Sequence, residues 1–278
     1  MTLAVFLAGL ASALTHALWN ALARSRSDPG RVLIAVTVTN GLLCLPVLLW
    51  VGLPPVNAWG WVAAGAVLNL VTMRALMETY RRTPFAFAYP LVRGIAPLFV
   101  SLFGFVVFGD TLTPLAALGV GVISTAVILL ALSARGGRID RTGLLLAILS
   151  GVSNAGFVIT DMQGVRLTGD PVVYGFTLAV ANAISLGTYG RLEGLRPLAG
   201  LRSDPAVVLA SCVLSMASYL LVLYGLANGP AGAVSALRET SIFIGVVLAA
   251  VMLKERVGPA RWFAALMAVA GVALIRLG

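Results

Sequence analysis

The sequence predicts an all-α integral membrane protein of ten transmembrane helices, arranged as two inverted five-helix repeats. Three observations carry that expectation. Only 10% of the residues are charged and 60% are hydrophobic. Ten apolar segments of membrane-crossing length follow one another with short polar breaks. Finally, the two halves align with each other at a fixed offset, and five crossings per half force the second copy to enter the bilayer upside down.

Composition decides the solvent. Soluble domains carry about 25% charged residues because their surfaces face water; with 10% charged residues and a mean hydropathy of +1.01, most of this surface must face lipid. A crossing helix needs about 20 apolar residues, so 278 residues hold ten crossings and leave no room for a soluble domain. The net charge of +9 does not point to nucleic acid, because the basic residues fall in short loops between apolar runs. The two cysteines, Cys44 and Cys212, lie far apart in apolar runs, which excludes a disulfide framework and leaves packing as their role. No metal site or cofactor is expected.

The elements read in order as 3–22, 32–53, 58–80, 85–108, 112–133, 142–160, 171–189, 206–226, 230–253 and 258–276. Turn-forming residues separate them: Ser27-Asp28-Pro29-Gly30, Pro54-Pro55, Gly109-Asp110, Arg135-Gly136-Gly137-Arg138, Gly169-Asp170-Pro171 and Gly229-Pro230. The first segment ends in Ala21-Leu22-Ala23, which resembles a cleavage site. It lacks a basic leader and is interrupted by His16 and Asn20, so it is expected to remain as a helix. Alternate loops carry Arg24, Arg26, Arg31, Arg81, Arg82, Arg135, Arg138, Arg141, Arg191, Arg196, Arg202, Lys254, Arg256 and Arg261, against Arg166 and Arg276 on the other face. Basic loops stay in the cytoplasm. The expected setting is therefore a bacterial inner membrane, with both termini outside.

A shift of 145 residues places Ala88-Tyr89-Pro90-Leu91-Val92-Arg93 on Ala233-Val234-Ser235-Ala236-Leu237-Arg238, Asp110 on Glu255 and Pro114 on Pro259, with no gap from residue 84 onward. The repeats are expected over 1–133 and 142–278. Inverted repeats are a signature of secondary transporters, because one scaffold can then open to either side of the membrane.

The stretch Ala75 to Leu132 resembles the EamA repeat of the drug/metabolite transporter superfamily. It carries Tyr89-Pro90-Leu91, Ala96-Pro97-Leu98, the Gly109-Asp110 turn, Pro114 and the Gly119/Gly121 helix. The second copy keeps Lys254-Glu255 at the turn but has Ile242 where the first has Pro97. His16-Ala17-Leu18-Trp19-Asn20 is similar to the opening of one EamA subgroup, some of whose members sit near phosphonate-utilisation functions. The resemblance implies a central cavity lined mainly by the first, third, fourth, sixth, eighth and ninth spans, with the fifth and tenth peripheral. It also implies small metabolites, amino acids or toxic compounds as substrates.

Charged residues inside spans are costly and usually face a cavity or a partner. Arg93 and Arg238 each lie roughly 12–14 Å deep, approached from opposite faces, so both are expected near the midplane. Their guanidinium groups suit a carboxylate or phosphonate; the structural alternative is pairing, with Glu239 neutralising one of them. Arg74 and Glu78, four apart near the arginine-rich end of the third span, are expected to form an ion pair or gate. His16, Trp19 and Asn20 share one helical face, and the histidine suits a substrate ligand or proton carrier. Asn154, Tyr89 and Tyr219, the last aligned with Arg74, complete the expected cavity wall. Asp161 is expected to be solvated at the outer end of the sixth span. Ser211, Ser215 and Ser218 follow a small-residue spacing that suits close helix packing.

The resulting expectation is a secondary transporter that moves a small anionic or zwitterionic metabolite by alternating access. An exporter of cationic or aromatic solutes is the alternative, and a non-transporting binding protein a more remote one. Its partners are the lipid bilayer, the small-molecule substrate, and protons or a counter-transported solute as coupling species, with a monomer or homodimer as the assembly. No nucleophile–base pair or metal cluster supports an enzyme.

Overall fold

The computed structural model describes residues 1–24, 29–83, 85–133, 140–252 and 258–278. Arg26, Arg135, Arg138, Lys254, Glu255 and Arg256, which enter the loop-charge pattern or the repeat register, lie outside the described residues. The first half comprises α1 (Leu3–Arg24), α2 (Pro29–Val51), a short 3₁₀ turn (Val56–Ala58), α3 (Trp59–Arg82), α4 (Phe85–Phe108) and α5 (Pro114–Ser133). The second comprises α6 (Arg141–Thr168), α7 (Pro171–Leu192), α8 (Ala199–Ser203), α9 (Pro205–Asn228), α10 (Ala231–Glu239), α11 (Ser241–Met252) and α12 (Pro259–Leu277). Nine helices among the described residues are long and apolar enough to cross a membrane; α10 and α11, joined through Thr240, supply the ninth crossing of the chain in two pieces.

Local chemistry sets the ends. Asp140 accepts from the Gly143 amide at 3.2 Å and Asp170 from the Val172 amide at 2.7 Å, satisfying donors that the first turns of α6 and α7 leave free. Pro171, Pro205 and Pro259 open their helices, where a missing N–H costs nothing. Gly169 ends α6 at φ 73°, a left-handed conformation that favours glycine. The outer surface is apolar: Leu49, Trp50, Val106, Val213, Leu266 and Val269 are all exposed, as lipid-facing residues must be.

The helices pair across the two repeats. α1 packs on α9, α2 on α7, α3 on α6, α4 on α10 and α5 on α12. Exchanging the halves turns the α1–α9 contact into α6–α3 and maps each of the other three pairs onto itself. The inverted two-fold arrangement is thus visible in which helices touch. Close approach is carried by small residues. A Cβ on Gly119 would lie 2.7 Å from the Gly271 carbonyl, and one on Gly271 would lie 2.6 Å from Ile123, so α5 and α12 meet nearly backbone to backbone. Ser218 and Ser12 exchange hydroxyl–carbonyl bonds of 2.9 and 2.8 Å between α9 and α1.

Two spans differ from the sequence expectation. The sixth was expected over 142–160 but runs to Thr168, because Asp161 and Arg166 find partners inside the protein and need no water (below). The ninth, expected as one helix over 230–253, is interrupted at Thr240. There the hydroxyl of Thr240 donates to the Leu237 carbonyl at 2.6 Å and its amide reaches the same carbonyl at 3.2 Å, tightening the helix into a 3₁₀-type turn.

Candidate functional site

A cavity of about 1100 Å³ occupies the half of the bundle nearer the arginine-rich loops. Its wall includes His16, Trp19 and Asn20 of α1, Thr72 and Tyr80 of α3, Tyr89 and Arg93 of α4, Asn154 of α6, Tyr189 of α7, and Arg196 in the segment leading to α8. On α1, helical spacing brings the polar stripe together: Trp19 Nε1 donates to His16 Nδ1 at 3.2 Å, and Asn20 Nδ2 donates to the His16 carbonyl at 2.8 Å. On α4, Pro97 removes the amide that would otherwise bond the Arg93 carbonyl, so the helix is loosened one turn past the arginine.

Behind Arg93 lies a buried layer of charge. Arg93 Nε sits 2.6 Å from Glu239 Oε2, with side-chain exposures of 11% and 3%. The contact is short but off the N–H axis, and neither atom has an aligned hydrogen bond; Arg93 Nη2 and Arg238 Nε are likewise buried without one. Deeper still, Asp161 is 1% exposed and accepts from the Tyr219 hydroxyl at 2.9 Å and the Tyr174 hydroxyl at 3.4 Å. A Cβ on Gly164 would run into the Tyr174 ring, so that glycine admits the ring to this position. The expectation that Asp161 is solvated is therefore wrong: the apolar run ends at residue 160, but two tyrosines from other helices enclose the carboxylate.

The opposite, arginine-poor half is closed. Arg166 of α6 donates to the Leu226 carbonyl at 3.0 Å, the Gly229 carbonyl at 2.9 Å and Asp110 Oδ1 at 3.2 Å. Asp110 Oδ2 accepts in turn from the Ala231 amide at 2.7 Å, at the start of α10. One arginine and one aspartate thus tie the ends of α4, α6, α9 and α10. Below this knot a Cβ on Gly229 would lie 2.8 Å from Val5, one on Gly225 2.8 Å from Val234, and one on Gly232 would strike Ser101. The cavity thus lies toward the arginine-rich loops and the side-chain knot toward the opposite face.

The sequence matches the EamA-like transporter family over residues 2–132 and again over 141–277. The chain belongs to this family. A crystal structure, titled only "Crystal structure of protein", superposes on all of this chain and 98% of its own with a TM-score of 0.79; at 21% identity it shows a shared fold. No curated protein matches the sequence significantly. EamA membership makes the chain a multi-pass membrane protein of the transporter type, with a small-molecule substrate.

Of the site residues expected from sequence, His16, Trp19, Asn20, Tyr89, Arg93 and Asn154 stand in the cavity wall, whereas Arg238, Glu239 and Tyr219 do not. Arg238 and Glu239 belong to the charge layer reached through Arg93, and Tyr219 bonds Asp161. The expected Arg74–Glu78 pair is not formed. Glu78 instead pairs with Arg82 at 2.8 Å and Arg81 at 3.2 Å, since a carboxylate three or four residues before an arginine is the better-oriented arrangement. The Arg74 guanidinium lies 5.0 Å over the Tyr189 ring. The wall also draws on α2 and α7, through Leu33, Ile34, Leu186 and Tyr189, where the resemblance implied the eighth and ninth spans. Leu33, Ile34 and Leu186 give no signal in sequence, because an apolar cavity residue and a lipid-facing one look alike.

Proposed function

We propose that this EamA-like transporter is a secondary carrier that moves a small anionic or zwitterionic metabolite, such as an amino acid, an organic acid or a phosphonate-like compound, by alternating access. The observation that carries the reading is Arg93, a cationic residue in the wall of a cavity of about 1100 Å³. A planar guanidinium fork beside a low-dielectric cavity suits a bidentate anion. His16, Asn20, Tyr89 and Asn154 would fix the rest of the solute, and Trp19 would cover it. By the loop-charge rule the cavity faces the cytoplasm of a bacterial inner membrane and both termini lie outside. The four-helix tie at Asp110 and Arg166 then closes the external side.

The aromatic wall of Trp19, Tyr80, Tyr89 and Tyr189 supports a second reading, an exporter of cationic or aromatic solutes. One experiment separates the two. Purified protein is screened for thermal stabilisation by amino acids, organic acids, phosphonates and organic cations, and hits are tested for flux in proteoliposomes. The anion reading expects anionic or zwitterionic hits that Arg93→Gln abolishes. Stabilisation by cations alone, unaffected by Arg93→Gln, overturns it.

A further inference from the structure

Arg93 has an anion already, and that anion belongs to the protein. Glu239 approaches Arg93 Nε at 2.6 Å, yet Glu239 is not part of the cavity wall while Arg93 is. The carboxylate therefore reaches the guanidinium from behind, and a solute would reach it from the front. A guanidinium binds a carboxylate bidentately along its Nε–Nη2 edge or across Nη1 and Nη2. Glu239 holds the Nε end of the first edge, off the N–H axis, and both Nε and Nη2 are buried away from the cavity. A solute anion that approaches Arg93 from the cavity competes with Glu239 for one positive charge.

The displaced carboxylate cannot be left alone, because Glu239 is 2% exposed and an unpaired buried charge is costly. The neighbouring residue supplies a receiver. Arg238 is within electrostatic range of Glu239, and its Nε is buried with no hydrogen bond. Two midplane arginines have Glu239 between them, and Asp161 lies within electrostatic range of Arg238 as well. With the cavity empty the glutamate is on Arg93; with an anion on Arg93 it can pass to Arg238. The exchange leaves each of the two arginines with an anionic partner and consumes no proton.

Glu239 also closes α10, and Thr240, next in the chain, is the 3₁₀-type interruption between α10 and α11. Short 3₁₀ stretches inside helices often mark hinges. The Arg93–Glu239 contact accordingly pins this junction to α4. We propose that Glu239 is an internal competitor for the anion site on Arg93, and that a solute anion displaces it toward Arg238 and thereby releases the α10–α11 junction. This inference rests on the anion reading of Arg93 given above and adds to it a positioning residue and a trigger.

The test uses the full-length protein in detergent, with acetate, glutamate and methylphosphonate as probes, in four forms: wild type, Glu239→Gln, Glu239→Asp and Arg93→Gln. A competitor that occupies the site in nine of ten molecules weakens the apparent Kd about tenfold, so Glu239→Gln is expected to bind the effective anion about tenfold more tightly. Glu239→Asp, with its carboxylate drawn back by one methylene, should fall between, and serves if the glutamine variant does not fold. Arg93→Gln should bind none. A reporter cysteine at Ser241, whose hydroxyl is buried beside the junction, gives a readout that a merely structural glutamate would not move. With Cys44 and Cys212 replaced by alanine, its thiol labelling should accelerate with anion in the wild-type background and be fast without anion in Glu239→Gln. If an anion binds the wild type and Arg93→Gln loses it, but Glu239→Gln and Glu239→Asp bind no more tightly, the competitor role is overturned and the anion site stands. If no anion binds any form, the anion reading itself fails.

Discussion

The tie at Asp110 and Arg166 makes a quantitative demand on the closed face. Arg166→Met keeps most of the side-chain volume and removes three hydrogen bonds, of 3.0, 2.9 and 3.2 Å, from a guanidinium that is 30% exposed. Bonds to charged groups contribute about 1.5–3 kcal/mol each when buried. On the alternating-access reading the groups regain water when that face opens, so the three together should favour the closed state by about 2–4 kcal/mol. At about 1.4 kcal/mol per tenfold, the open population should rise by roughly 30-fold to 1000-fold. The assay is a single cysteine at Ser101, which packs against Gly232 beneath the tie with its hydroxyl buried, in a background lacking Cys44 and Cys212. A membrane-impermeant maleimide is applied to the arginine-poor face of the reconstituted protein. Labelling should be slow with Arg166 intact and at least tenfold faster in Arg166→Met. Asp110→Asn keeps an acceptor for the Ala231 amide and should give a smaller rise. Equal labelling rates in a variant that melts and elutes as the parent would refute the assignment of this network as the closing contact.

Two further predictions concern the buried layer and the peripheral pair. Tyr219→Phe removes the 2.9 Å donor to Asp161 and should cost about 1–3 kcal/mol in denaturant melts, whereas Tyr174→Phe should cost less, because its one hydroxyl proton is nearer the Thr160 carbonyl at 3.1 Å than Asp161 at 3.4 Å; equal losses would contradict that division. Gly271→Val should separate α12 from α5 and lower stability by about 1–3 kcal/mol or more, read as a fall in melting temperature, since even a Cβ there would lie 2.6 Å from Ile123.

Much of this was legible in the chain because lipid imposes a simple rule. Charge is excluded from crossings, so the crossings, and the two arginines that violate the rule at the midplane, stand out in one dimension. What could not be read depends on partners far away in sequence. Asp161 looked like the polar end of a span until Tyr219, 58 residues on, was seen to bond it. Arg166 was counted as a loop charge, yet its partners are carbonyls at the end of α9, 60 and 63 residues later. Thr240 sits in an apolar run that periodicity reads as one helix, and only its hydroxyl bond to Leu237 shows the interruption. The Arg74–Glu78 expectation failed for a different reason: Arg81 and Arg82 were better placed for Glu78, and a spacing rule applied to one pair ignores competing neighbours.

The repeats agree in which helices touch and disagree in what their related residues face. Arg93 and Arg238 occupy equivalent register positions, yet the first stands in a cavity wall and the second behind it. On the alternating-access reading, that difference belongs to the state and not to the fold. Exchanging the roles of the halves would bring Arg238 to a wall opening on the other face and place Arg93 in the buried layer. The sequence supports the exchange beyond the midplane. Arg24, Asp28 and Pro29 have the same mutual spacing as Arg166, Asp170 and Pro171, and Asp110 aligns with Glu255. Both charges of the tie on the arginine-poor face therefore have a counterpart in the sequence of the arginine-rich loops. On the alternating-access reading proposed above, a carrier that closes each face in turn uses those charges twice.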